Sequence, residues 1–506
     1  MPMLAPDHGD ACPLARAVYL PCQFNVIRSF MTAPLDRRTG SAFEGPILKS
    51  LLTLAVPIVL GNMLQSAYQL IDAFWVGRLG GAAVAAVAVT FPMTFLMFAL
   101  GAGFSIAGST LIAQYVGARN QPMVNRVAAQ TMVLVAGVSL LLGLIGYLLA
   151  PTILRAMGVT SEVYPGALSF MRIAFLGLIF SFSFAVFQAV MRGVGEATLP
   201  TYIVLGTVIL NAVICPVLIF GWGPIPGYGV TGAAISTIFT QGIAALIAMW
   251  VLFGGRHGIH VSWSDFMPDL TYMKRAFLLG FPASIEMSTR ALGVTVLSFL
   301  VASFGTQTIA AYGVGTTIFQ VVLIPAMGLS MAISVLVGQN IGARNPQRAT
   351  QIARTGSMLG FGALTLLGVI AFIFAPAIIS TFIPGDPGVI AAGTAFVRTQ
   401  CLAWGFTGLQ LCLVGVFRAA GNMMATMIIA LVSQWVLMFP IAYVLSKHTS
   451  LAEAGIWWAF PISNIVITTI TLLWYTKGDW RYVRLTDDEQ AVVAVNEAAM
   501  AEDRGR

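Results

Sequence analysis

Apolar runs long enough to cross a lipid bilayer recur twelve times along these 506 residues. Bounded by charge and turn clusters, they lie near 50–76, 83–114, 126–150, 164–190, 198–220, 230–253, 275–302, 307–338, 351–375, 390–416, 423–445 and 453–475. A helix needs ~20 residues to span ~30 Å of hydrocarbon. Lipid offers no water to a free backbone amide, so each run is expected to be a helix that satisfies its own backbone. A soluble alternative fails on charge. Only 9% of residues are charged while 58% are hydrophobic, against about 25% charged in soluble domains. The 51 glycines suit helices that approach closely in a membrane. The expected fold is an all-α polytopic membrane protein, with the lipid bilayer as its first partner.

Lysine and arginine set the orientation, because they accumulate on the cytoplasmic side. Arg37, Arg38, Lys49, Arg119, Arg126, Arg192, Arg256, Lys274, Arg275, Arg344, Arg348, Arg354, Arg418, Lys477, Arg481 and Arg484 fall on one side, against Arg78, Arg155 and Lys447 on the other. Both termini are therefore expected in the cytoplasm, across a bacterial inner membrane. Residues 1–46 read as an N-terminal extension without ordered structure, with translation expected to begin at Met31, and 476–506 as a cytoplasmic tail. The net charge of +7 gives no reason to expect nucleic acid as a partner. Cys12, Cys22, Cys215, Cys401 and Cys412, with four scattered histidines, show no metal-ligand spacing. The three in the spans read as small apolar packers.

An internal repeat divides the chain. Adding 225 to a position in the first half lands on its match: Pro57 on Pro282, Gly80 on Gly305, Gln114 on Gln339, Pro151 on Pro376. The loop Gly117-Ala118-Arg119-Asn120 returns as Gly342-Ala343-Arg344-Asn345, and one inserted residue later Arg172, Arg192 and Gly195 return as Arg398, Arg418 and Gly421. The repeat implies six-helix lobes at 47–253 and 275–475, joined by the loop 254–274. An even number of spans per half makes the repeats parallel, an arrangement found in secondary transporters.

Ionisable groups inside spans mark candidate sites. Asp72 follows Asn62, Gln65 and Gln69 at spacings of three, four and three, which puts all four on one helical face. Glu286 and Arg290 stand one turn apart; they either pair or offer Glu286 to a cationic substrate. Arg172 and Arg398 sit near span ends, where snorkelling explains them. Tyr312, Thr316 and Gln320 recur every four residues, and Gln188, Gln400, Gln410 and Gln434 add uncharged polar points. Met93 and Met97 read as packing or as an adaptable lining. No phosphate-binding loop, nucleophile elbow or pair of catalytic acids is visible, so no enzyme is expected.

The segments PIVLGNMLQSAYQLIDAFWVGRLG (57–80), QYVGARN with its second copy GQNIGARN, MRGVGEATLP and NAVICPVLIFG, in this order over twelve spans, resemble the multidrug and toxic compound extrusion (MATE) family. The resemblance covers roughly 47–475. It implies two six-helix lobes in a V shape and export of amphipathic, mostly cationic small organic molecules, driven by a proton or sodium gradient. It assigns cation coupling to Asp72. Asn211 and Thr237 match polar positions of the same site, which Gln65 and Gln69 would join from the shared face. The second aspartate usual four residues after the asparagine is here Cys215, a departure that removes one hard oxygen ligand for sodium. A lone carboxyl in a span can still exchange between charged and neutral forms, so a proton is the favoured ion. The expected substrate cavity comprises Glu286, Arg290, Gln188, Tyr312, Gln320 and Gln410. No cofactor is expected beyond the coupling ion, and the chain is expected to act as a monomer. The competing reading is a flippase for lipid-linked saccharides, which needs a strongly basic cleft.

Overall fold

Ten described helices are long and apolar enough to cross a membrane, and two further pairs, each bent at a short break, make up to twelve spans. The computed structural model describes residues 45–486 apart from 225, 256, 257 and 384. Met31, Cys12, Cys22 and the tail beyond 486 lie outside the described residues.

The first half contains α1 (Ile47–Gly77), α2 (Gly81–Gly117), α3 (Gln121–Ala156), α4 (Tyr164–Leu176), α5 (Leu178–Val194), α6 (Thr198–Phe220) and α7 (Val230–Gly254). The second contains α8 (Leu270–Ala302), α9 (Thr306–Gly342), α10 (Pro346–Phe382), α11 (Pro387–Cys401), α12 (Trp404–Ala419), α13 (Met423–Leu431), α14 (Phe439–Lys447) and α15 (Glu453–Thr476). The α4–α5 and α11–α12 pairs bend by 45° and 50°, where the sequence suggests single straight spans. Between α13 and α14 the helix loosens into a π stretch, Val432–Met438. Pro440 follows it, and a proline has no N–H for the carbonyl four residues back, although Pro92 and Pro282 sit inside uninterrupted α-helices. Burial sorts the faces. Leu140, Leu141, Leu144 and Leu148 of α3 are exposed, as lipid-facing leucines should be, whereas Ala332 and Ile333 of α9 are wholly buried.

The repeat survives in atomic detail. Arg119 and Arg344 both adopt left-handed backbone, with φ of 55° and 59°, rare for residues with a Cβ. The asparagine after each caps the next helix: Asn120 accepts from the Met123 amide at 3.2 Å and Asn345 from the Arg348 amide at 3.1 Å. Arg172 lies over the Tyr147 ring at 4.8 Å and Arg398 over Phe372 at 5.4 Å, with each aromatic 225 residues from its counterpart. Helix α8 begins at Leu270 rather than 275, because Asp269 caps it by accepting from the Thr271 and Tyr272 amides. The linking segment is not loose: it folds a 3-10 turn, Trp263–Phe266, and binds α3 through Arg126–Asp269 at 2.6 Å and through Gln130, which donates to the Asp265 and Met267 carbonyls.

The two halves close on each other where α2 and α9 end. Gln114 Nε2 donates to the Ala419 carbonyl at 2.8 Å, and its repeat mate Gln339 donates to the Gly193 carbonyl at 3.1 Å. Both side chains are buried. The approach requires glycine. A Cβ on Gly117 would stand 1.9 Å from the Gln339 carbonyl oxygen, and one on Gly342 would stand 2.0 Å from that of Gln114. Backbone, unlike a flexible side chain, cannot step aside without moving its helix. Gly342→Val should therefore pry this end open. Nitroxide labels on Pro122→Cys and Gln347→Cys, both exposed, should report longer distances in the variant; an unchanged distribution would show that the contact does not hold the closure.

Candidate functional site

Helix α1 presents Asp72 toward α6 and α7. Its Oδ1 accepts from Asn211 Nδ2 at 2.6 Å, and its Oδ2 from Thr237 Oγ1 at 3.3 Å. Asn211 is fully buried and accepts in turn from Ser236 at 2.6 Å. One turn below Asp72, the Tyr68 hydroxyl and Thr240 share a 2.6 Å hydrogen bond. Cys215, wholly buried, lies beside Asp72 and Ser236. The result is a closed polar network in which one carboxylate is held by neutral donors. Among the described residues no lysine or arginine pairs with it.

Gln65 and Gln69 do not join this network; both are exposed. The row of α1 packed on its own half runs through Tyr68, Asp72 and Val76, at spacings of four. Tyr68 and Val76 are buried, so the glutamines fall on the flank of that row. Tyr68, Ser236 and Thr240 were not legible as members from the α1 stripe alone, because their positions depend on how α7 packs.

In the second half, Glu286 is completely buried. Arg290 approaches its Oε1 at 3.4 Å, the expected one-turn pair, but a closer partner comes from α12: Arg418 Nη2 at 2.7 Å. Arg418 is itself nearly buried. The signal for it was present in the repeat, which puts an arginine at the end of both the fourth and the tenth span. Two guanidiniums on one carboxylate leave Glu286 no charge to offer a cation.

The remaining expected cavity residues are dispersed. Tyr312 stacks on Trp457, with ring centroids 6.5 Å apart, and meets Phe396 at 5.8 Å; it belongs to an aromatic core. Gln320 is exposed, and Gln410 is buried in α12. Gln188 accepts from Arg192 at 3.4 Å and lines a small cavity of the first half with Arg192 and Asn62. Among the described residues no group of three histidine, cysteine or acidic side chains is placed to hold a metal ion.

The sequence pattern named MatE matches residues 57–217 and 282–444, both halves of the repeat. The chain belongs to the MatE family. It is thus a multi-pass membrane transporter rather than an enzyme. The probable multidrug resistance protein YpnP of Bacillus subtilis is 29% identical over 445 residues, covering 87% of this chain and 98% of its own length. The probable multidrug resistance protein NorM of Thermotoga maritima is 26% identical over 434 residues, with 86% and 93% covered. Among solved structures, a MATE protein in a bent conformation superposes with a TM-score of 0.81 at 23% identity, over 88% of this chain and 97% of that one. This MatE chain therefore has the MATE fold, and the Asp72 network and the Glu286 triad lie in opposite halves of it.

Proposed function

We propose that this MatE protein exports small amphipathic organic molecules, mostly cations, across the bacterial inner membrane in exchange for protons. The observation that carries the reading is the Asp72 network: one carboxylate inside a span, held by Asn211 and Thr237, with no lysine or arginine paired to it among the described residues. Such a group is stable in either protonation state if its neighbours adjust, and each state favours a different arrangement of α1, α6 and α7. A gradient can drive a cycle only if the two access states bind the ion with different affinity. Sodium is the less favoured ion, because Cys215 stands where a second carboxylate would supply a hard oxygen. The multidrug names of the relatives support the substrate class, and the pairing of Arg290 and Arg418 with Glu286 spends part of the positive charge that a saccharide diphosphate would need. The six-helix lobes at 47–253 and 275–475 are read as the two moving bodies of a monomer.

Everted membrane vesicles from cells expressing the protein should concentrate a fluorescent organic cation when energised, and control vesicles should not. Equal accumulation in both would reject the reading. Orientation has its own test. A single cysteine at Lys447 should react with an impermeant thiol reagent in intact cells, and one at Arg119 only after lysis. Reversed labelling would overturn the cytoplasmic placement of both termini.

A further inference from the structure

The two halves treat the same repeated arginine differently. In the second half, Arg418 is neutralised by Glu286 at 2.7 Å. Shifting Glu286 back by 225 positions, the register that joins Pro57 to Pro282, reaches Gly61. The first half thus keeps its arginine, Arg192, and lacks the acid. A cavity stands in that place, lined by Gly61 and Asn62 of α1, Gln188 and Arg192 of α5, and Thr201 of α6 among others.

Two residues of the lining are more polar than their mates. Asn62 and Gln188, which carry amide N–H donors, have the apolar Met287 and Val414 as counterparts. No carboxylate lines the cavity, and among the described residues Arg192 makes no ion pair; its side-chain bond is the long one to Gln188. Arg192 is half-buried, and a guanidinium with no acid opposite it favours an anion beside it, whose remaining hydrogen bonds the amide donors of Asn62 and Gln188 can supply. The space is ≈ 20 Å³ and partly open, room for a water-sized ion or group.

We propose that the first half contains a binding site for a small monovalent anion, chloride or a formate-sized carboxylate, which takes between α1, α5 and α6 the place that Glu286 fills in the second half. Arg192 supplies the counter-charge, and Asn62 and Gln188 supply neutral donors. The site is separate from the Asp72 network and does not rest on the direction or ion of transport.

The test uses purified full-length protein in detergent with gluconate, too large for the cavity, as the reference anion. Adding chloride or formate at constant ionic strength should raise the midpoint of thermal unfolding by a few degrees, saturably, and whichever of the two acts identifies the class. Gly61→Glu should bring the missing carboxylate in permanently. A Cβ there meets only the Thr201 hydroxyl, at 3.3 Å, so the chain can accommodate it with a small shift. This variant should unfold higher than the wild type in gluconate and gain nothing from chloride or formate. Arg192→Gln should lose the anion response as well. The site is refuted if the wild type responds to neither anion, or if Gly61→Glu responds as strongly as the wild type. The second comparison holds even if Arg192→Gln fails to fold.

Discussion

Asp72→Asn is expected to reduce gradient-driven export by about 5- to 150-fold, the range of a 1–3 kcal/mol coupling free energy, while leaving the protein folded. Asparagine keeps the oxygen that accepts from Asn211 Nδ2 at 2.6 Å, so α1 and α6 stay joined. What it removes is titration: the side chain becomes permanently neutral, and no proton can be taken from one side and released on the other. Binding of substrate should survive, so tryptophan quenching by a fluorescent cation should be nearly unchanged while accumulation in everted vesicles falls to background. Asp72→Glu keeps the acid but lengthens the reach by a methylene, and should retain part of the activity. If Asp72→Asn pumps as well as the wild type, Asp72 is not the coupling residue.

Arg418→Ala is expected to be the most damaging single change for stability, at about 3–5 kcal/mol, because removing one partner of a buried pair strands the other charge. Glu286 is wholly buried, and its remaining partner would be Arg290 at the longer 3.4 Å. Arg290 is partly exposed, so Arg290→Ala should cost only about 0–1 kcal/mol. The double change Glu286→Gln, Arg418→Gln removes both charges together and should recover most of the loss. Thermal unfolding midpoints of the four proteins in one detergent check the order. Equal, mild losses for Arg418→Ala and Arg290→Ala would show that the 2.7 Å contact does not carry the charge of Glu286.

The spans were legible because lipid imposes one rule on every residue of a crossing helix, and a run of apolar side chains meets it without reference to the rest of the chain. The repeat was legible for a related reason: Gly117 and Gly342, or Asn120 and Asn345, serve the same backbone geometry twice. Bends were not. The breaks at Gly177 and at Leu402–Ala403 depend on what packs beside them, and Pro440 does not announce the π stretch, since Pro92 and Pro282 sit inside uninterrupted helices. In the site, Asp72 stood out as an acid in apolar surroundings, and Asn211 came with the family resemblance. Gln65 and Gln69 stood out equally and lie elsewhere, since a stripe on a wheel does not reveal which edge of it is packed. Arg418 was placed by the repeat but seemed no different from a cytoplasmic flanking charge. Only the fold shows that it turns inward onto Glu286.

The central claim is that one carboxylate in the first half couples export to protons. Proteoliposomes loaded with an organic cation, with proton and sodium gradients imposed one at a time, test it most directly. Efflux is expected under an inward proton gradient with no sodium present, little under sodium alone, and close to background in either case for Asp72→Asn. Efflux from the unmodified protein driven fully by sodium without a proton gradient, or a proton-driven efflux that persists in Asp72→Asn, would contradict it.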